Sequence, residues 1–574
     1  MRNPTRSLRI ARGVALGLAG IALAVEVPSA AQRGPVSSGV VVSAPQVPVG
    51  LGPLPDGPGK VIGRVIDRET NQAISGVTIV IRQLGEPTGR STRAVNSGGR
   101  IVTADANGAF VIDHLPFGDF VVSALAAGYS SGGAISISTS NKQIRLSEAQ
   151  PSAATAFEFS KLGAISGTVF GDDGKPVADV AVRLLQGMAP FLRPVPVTAV
   201  TDASGTYRFT SVPSGEYAIS VYARSITIPN TVSEMYRLAL QRSAEIDLIA
   251  PRLADSEAPV PRPLPPGLGV TLGAFQLSIE DAQSRLRPVT IDASGSVRTV
   301  PITYQPDLTS LADVTPVHLS PAEQRVGLDI RVRSQPAVRV SGTLTGPVDE
   351  VSYVGVHLIA AGMERFYRTL NGEAAVTVSD ASGRFTFLGI APGQYTIEMH
   401  RMPYPPSDAQ PAASTATTPL IALPQRRLER WARMPVTVGQ TDVSDLTLPV
   451  HAPLFVRGRI ELDDAGASSP ARPASGSVRL SLEPQTGQRI TFPTTSVTPG
   501  EAFALGPIFP DTYLLRIQLL AVGRVISITA DGKELVNQSL VLSDRDQTGV
   551  IIKLALPRAS AFDSLGLLSR PIVK

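Results

Sequence analysis

Apolar and polar residues alternate along most of the chain, and the alternation is punctuated by the same two turns again and again. In the stretch TDASGTYRFTSVPSGEY (Thr201 to Tyr217), Tyr207 and Phe209 share one face of a strand, and Tyr217, Ile219 and Val221 share one face of the next. Asp202 and Gly205 bracket a turn that favours Asp at its start and Gly at its end. Pro213 presets the backbone angle for a second turn and Gly215 relieves its sterics, so the pattern predicts a hairpin with one apolar face. The motif recurs at Ala104 to Phe120, Ser379 to Tyr395 and Pro499 to Tyr513. In each copy its two aromatic residues stand ten positions apart: Phe110 and Phe120, Tyr207 and Tyr217, Phe385 and Tyr395, Phe503 and Tyr513. A repeat of that regularity marks a tandem array.

Further strands flank each copy. VIGRV (from Val61), ISGTV (from Ile165), VSGTL (from Val340) and VRGRI (from Val456) open the units, and second strands such as VTIVI (from Val77) and VAVRL (from Val180) follow. Each unit closes with two short alternating strands, as at Gln143 to Ser160 or Val436 to Val450. Roughly seven strands per unit suit a small β-sandwich. The expected division is a signal peptide at 1–31, a Gly/Pro-rich linker at 32–59, and modules at 60–160, 161–334, 335–450 and 451–557, with a tail at 558–574. Linkers between modules are nearly absent, which predicts a semi-rigid series rather than flexibly joined beads. Length varies mainly in one loop. In the second module it covers about 223–315, with a Pro-rich passage at Pro251 to Gly267 expected as extended polyproline and an added hairpin, or a degenerate fifth module, at 268–304. In the third module the variable loop is Arg401 to Leu420.

Composition agrees with an all-β chain: 574 residues, 43% hydrophobic, with 51 Gly and 49 Pro. Arg2, Arg6, Arg9 and Arg12 precede an apolar run from Gly13 to Val25 and the small residues Ser29, Ala30 and Ala31, the order of a secretory signal, and the run is too short to span a bilayer. The chain is therefore expected to be exported, to the periplasm, the cell surface or the medium, with no transmembrane span once the signal is removed. A formal charge of +4, three units of it from that segment, leaves the mature chain near neutral, and no basic block with interleaved aromatics suggests nucleic acid. Without cysteine the modules rest on packed cores alone.

The pattern GxV, then DxxG with an aromatic two residues on, then P-x-G-x-Tyr resembles the carboxypeptidase regulatory-like domain. KLGAISGTVFGDDGKPVADVAVRLL, RFTFLGIAPGQYTI and RWARMPVTVGQTDVSDLTL carry the likeness, which extends over most of residues 60 to 557. It implies an all-β array of about four Ig-like or transthyretin-like sandwiches, related to collagen-adhesin B-type modules and grouped under a carbohydrate-binding-like fold. The fourth module departs from the pattern, with Glu501 at the first turn and Asp511 at the second. Collagen-adhesin modules often carry a Lys–Asn isopeptide bond, but no lysine lies between Lys175 and Lys533, so the third module has none.

Catalytic constellations are weak. His114, His318, His357, His400 and His451 are scattered without metal-ligand spacing, and no cofactor or metal is expected. GYSSG at Gly128 to Gly132 matches a hydrolase expression, yet a strand rather than the required helix follows Ser130. DDG at Asp172 and the DASG turns lack a full set of calcium ligands and read as turn chemistry. Aromatic residues are 5% of the chain, most of them in the repeated motif, which weakens a lectin reading. Outside the motif the binding candidates are Arg365, Tyr367, Arg368, Tyr404 and Trp431, with core packing the plainer account of each aromatic. Tyr217, Tyr395 and Tyr513 are placed to tie down a corner by a hydroxyl hydrogen bond. The reading is an exported, non-catalytic binding or structural scaffold at the cell envelope or outside it, its surface on the variable loops of modules two and three. Carbohydrate binding is the alternative, and an accessory role in a peptidase system the third. A polysaccharide and another envelope protein are the partner classes it leaves open.

Overall fold

The computed structural model describes residues 52–84, 96–131, 139–186, 197–242, 246–364, 372–403, 428–462, 478–485, 493–519 and 524–555. Within them one strand plan is laid down four times. In the first copy, the opening strand Gly59–Asp67 lies between Ala109–Leu115, antiparallel, and Ser152–Lys161, parallel. The facing sheet sets Thr78–Leu84 between Asn96–Thr103 and Gly118–Leu125, and Thr139–Leu146 closes it. Val338–Thr345 and Leu454–Leu462 occupy the same central place in the third and fourth copies. In the second, Gly163–Phe170 pairs with Thr206–Val212 and with two short segments, Gln324–Arg325 and Ile330–Arg331.

The two strands of the repeated motif do not pair with each other, so the expected hairpin is an arch. Thr206–Val212 bonds to Gly163–Phe170 in one sheet, and Gly215–Val221 bonds to Ala181–Gln186 in the other. Tyr207, Phe209 and Tyr217 are fully buried in one core. Strands on facing sheets bring these side chains together from both sides of a sandwich, which a single two-stranded ribbon cannot do. The closing pairs are split between sheets in the same way, as Thr139–Leu146 and Ser152–Lys161 show. A third strand, absent from the sequence reading, precedes each motif at Asn96–Thr103, Val197–Val200, Glu373–Val378 and Thr494–Val497.

Small residues fix the packing inside each copy. Gly63, Gly167, Gly342 and Gly458 sit opposite the first aromatic of the motif, Phe110, Tyr207, Phe385 and Phe503 respectively. A Cβ at Gly342 would stand 2.8 Å from the Phe385 ring and 2.5 Å from the Leu446 carbonyl oxygen. The ring tip reaches over bare backbone, an aromatic–glycine cross-strand pair. Register then slips by a bulge four residues past the aromatic, where His114, Ser211 and Gly389 take left-handed φ of 54°, 59° and 74°.

The long segment of the second module departs most from expectation. Ala223–Pro229 leaves its own sandwich and runs parallel to Glu373–Val378 in the sheet of the third. Phe275–Asp281 pairs with it, and Val270–Leu272 forms a hairpin on the outside, so residues 270–281 extend that sheet. Asp292 heads the turn of a separate small hairpin, Thr290–Ile291 with Val297–Thr299. Helix α1 (Asn230–Arg242) and helix α2 (Ile246–Asp255) cover the outer face, burying Val232, Ala239 and Leu253 against Ile226, Val376 and Val378. The polyproline expectation therefore fails at its start. Pro251 lies inside α2, where its missing N–H removes one intrahelical bond without ending the helix.

Candidate functional site

Because the second module's chain continues into the third module's sheet, charged side chains from both meet at the crossing. Arg224 donates to Glu280 from Nε at 3.0 Å and Nη2 at 2.7 Å, and to Glu373 from Nη1 at 3.2 Å. Glu280 also accepts from Arg262 at 3.0 Å. Burial opposes charge on Arg224, but Tyr222, Glu373 and Glu280 outweigh it and raise its pKa. Burial likewise opposes the Glu373 carboxylate, and His357 with Arg224 holds it below the ordinary carboxylate value. Arg183 is fully buried with its guanidinium 4.1 Å from the centre of the Tyr222 ring, and desolvation lowers its pKa. His357 and His400, both buried, stack at 5.2 Å between ring centres. Far apart in sequence, they sit on neighbouring strands, which spacing alone does not disclose.

Beside this network a cleft of about 520 Å3 opens between the second module's long segment and the Ile390–Tyr395 turn of the third. Pro301 and Pro392 give it apolar walls, and Arg287, Arg298, Ser310 and Gln394 bring polar atoms to it. Two of these are fixed by neighbours. Arg287 donates to Asp179 at 2.6 Å, a bond that lowers the Asp179 pKa against the opposing effect of burial, with Arg285 assisting. Arg298 donates from Nε to the Ser334 hydroxyl at 3.3 Å and from Nη2 to the Ser334 carbonyl at 2.5 Å. Preset guanidinium groups beside small apolar walls suit the holding of a ligand.

Of the sequence candidates, Arg365, Tyr367, Arg368 and Tyr404 lie outside the described residues. Trp431 is 8% exposed and packs with Met402, Leu428 and Phe509 where the third and fourth modules meet. Its indole N–H donates to the Ala452 carbonyl at 2.9 Å. Ser130 is buried in the two-residue strand Tyr129–Ser130, paired with Ser160 and Lys161. Among the described residues no group of three His, Cys, Asp or Glu side chains could hold a metal ion, and no helix is long and apolar enough to cross a membrane. The arginines of the cleft went unread in the sequence. Their only signal was the added DASG hairpin that carries Arg298.

Residues 164–237 match the family model described as carboxypeptidase regulatory-like domain, so the chain contains a domain of that family. No curated protein matches. Among solved structures, the chain is similar to the minor pilin of Streptococcus agalactiae, at 13% identity over 48% of this chain and 97% of that one, with a TM-score of 0.21. The Bacillus anthracis TIE protein is similar at 10% identity, over 86% of this chain and 73% of that one (TM-score 0.15). The major pilin subunit of Bacillus cereus is similar at 10% identity, over 69% and 99% (TM-score 0.14). At these TM-scores the likenesses carry no argument, and the fold rests on the strand order above.

Proposed function

We propose that this chain, which carries a carboxypeptidase regulatory-like domain, is an exported, non-catalytic scaffold that binds or spaces other molecules at the cell envelope or outside the cell. The supporting observation is the shared sheet: Ala223–Pro229 hydrogen-bonds into the third module, so the long segment of the second module is held on the sheet of the third. Binding residues are typically presented by loops on such rigid frames. Export is supported by the arginine-led apolar segment at the N-terminus. The mature chain, used as bait in envelope extract, is expected to capture a partner, and a chain lacking 401–420 and the 290–299 hairpin to lose it. Equal capture by both would reject the placement of the surface. A glycan array tests the carbohydrate alternative, and generic ester and peptide substrates test hydrolysis.

A further inference from the structure

We infer that the cleft between the second and third modules takes an extended peptide segment bearing a carboxylate side chain, laid along the Thr290–Ile291 strand with its carboxylate on Arg298. The inference rests on the scaffold reading and names its ligand class. Charge comes first. Arg224 and Arg287 reach the cleft but are committed to Glu280, Glu373 and Asp179. Arg298 is held by a hydroxyl and a carbonyl of Ser334, which are neutral, and among the described residues it makes no ion pair. Asp292 feels its charge without bonding to it. Its Nη1 has no hydrogen-bond partner among the described residues, so a positioned guanidinium edge is left for an acceptor.

The backbone supplies the second observation. Thr290–Ile291 is the edge of a three-stranded sheet, paired only with Val297–Thr299, and both residues are exposed. The Asp292 N–H bonds to the Ser296 carbonyl, which puts Thr290 in a hydrogen-bonded pair with Arg298 and turns the N–H and C=O of Ile291 outward, one residue from the cleft-lining Thr290, as a template for an added strand. The third observation separates peptide from sugar. Among the described residues the aromatic ring at the cleft is Tyr395, which is 8% exposed and spends its hydroxyl on the Ala391 carbonyl at 2.8 Å, so they offer no platform for a pyranose ring.

Saturation-transfer NMR on the full chain with the pentapeptide acetyl-TVDVT-amide tests this. Transfer to the valine methyls is expected. It should weaken about tenfold for the Asp-to-Asn peptide and for Arg298→Ala, one charge-assisted hydrogen bond's worth, with Arg298→Lys between. A peptide N-methylated at both valines should not bind, and this arm leaves the protein untouched should Arg298→Ala melt early. D-glucuronate, which has the carboxylate without the strand, should not compete at equal concentration. No transfer from the acidic peptide, transfer indifferent to its charge or N-methylation, or displacement by glucuronate would overturn the inference. Capture of an envelope partner by the same chain would leave the scaffold reading standing in each of those cases.

Discussion

At the scale of single residues, the repeat is a set of fixed chemical devices. Asp105, Asp202 and Asp380 each accept backbone N–H groups two and four residues on, which closes the first turn. Tyr217, Tyr395 and Tyr513 donate to the carbonyls of Pro213, Ala391 and Phe509, four residues back, at 2.6, 2.8 and 2.9 Å. Tyr395→Phe should therefore cost about 1 kcal/mol, read as a lower denaturation midpoint at unchanged slope. Gly342→Ala forces a methyl into Phe385 and Leu446 and should cost about 3 kcal/mol. Gly439→Ala, with open space at its Cβ, serves as the neutral control for the same melt. Ser211 pays for a left-handed φ that glycine adopts freely, so Ser211→Gly should stabilise by about 0.5 kcal/mol.

At the scale of strands and sheets, the crossing at Arg224 couples stability to pH. The Glu373 carboxyl has a folded-state pKa below its unfolded value, so its contribution is present above about pH 4.3 and is lost as pH falls through the lower folded value. Glu373→Gln should flatten the acid limb of stability against pH, measured by denaturant midpoints; an unchanged limb would show that Glu373 does not contribute. Arg224→Met should destabilise by about 3 kcal/mol at neutral pH, since it takes the shared guanidinium from two buried carboxylates and leaves Glu280 to Arg262 and Glu373 to His357 alone. What could be read beforehand divides along the same line. Turns, alternation and the Tyr corners are local, set by residues within a few positions of each other, and so were legible. Pairing was not. Period two tells which side of a strand is buried but not which strand lies beside it, and the arch between Val212 and Gly215 satisfies the same pattern as a hairpin. The third strand corresponds to VTAV and AVTV, which alternate just before Asp202 and Asp380, but four alternating residues beside a turn do not name the strand they pair with. Arg298 and the stacked His357 and His400 come together only through long-range pairing, so no spacing rule finds them.

At the scale of the whole molecule, neighbouring modules lean on one another at identifiable points. Trp431, the single tryptophan of the chain, lies in the cluster with Phe509 of the fourth module, so its fluorescence reports that joint. Emission should be blue-shifted in the native chain, and Phe509→Ala should move it to the red with little change elsewhere in the unfolding curve; an unmoved spectrum would mean that Phe509 does not shield the indole. At the preceding joint the dependence is deeper, since Ala223–Pro229 finds Phe275–Asp281 on one side about 50 residues on, but its other partner, Glu373–Val378, nearly 150 residues later. During synthesis, the ribosome releases that strand well before its neighbour in the third module exists. Residues 59–161 can close as soon as they emerge, whereas 223–281 must wait as an exposed, sticky intermediate until the chain has been made past 378. Under the export proposed above, a chain threaded unfolded across a membrane would meet the same wait again on the far side. There a periplasmic or surface chaperone that shields bare strands would decide the yield.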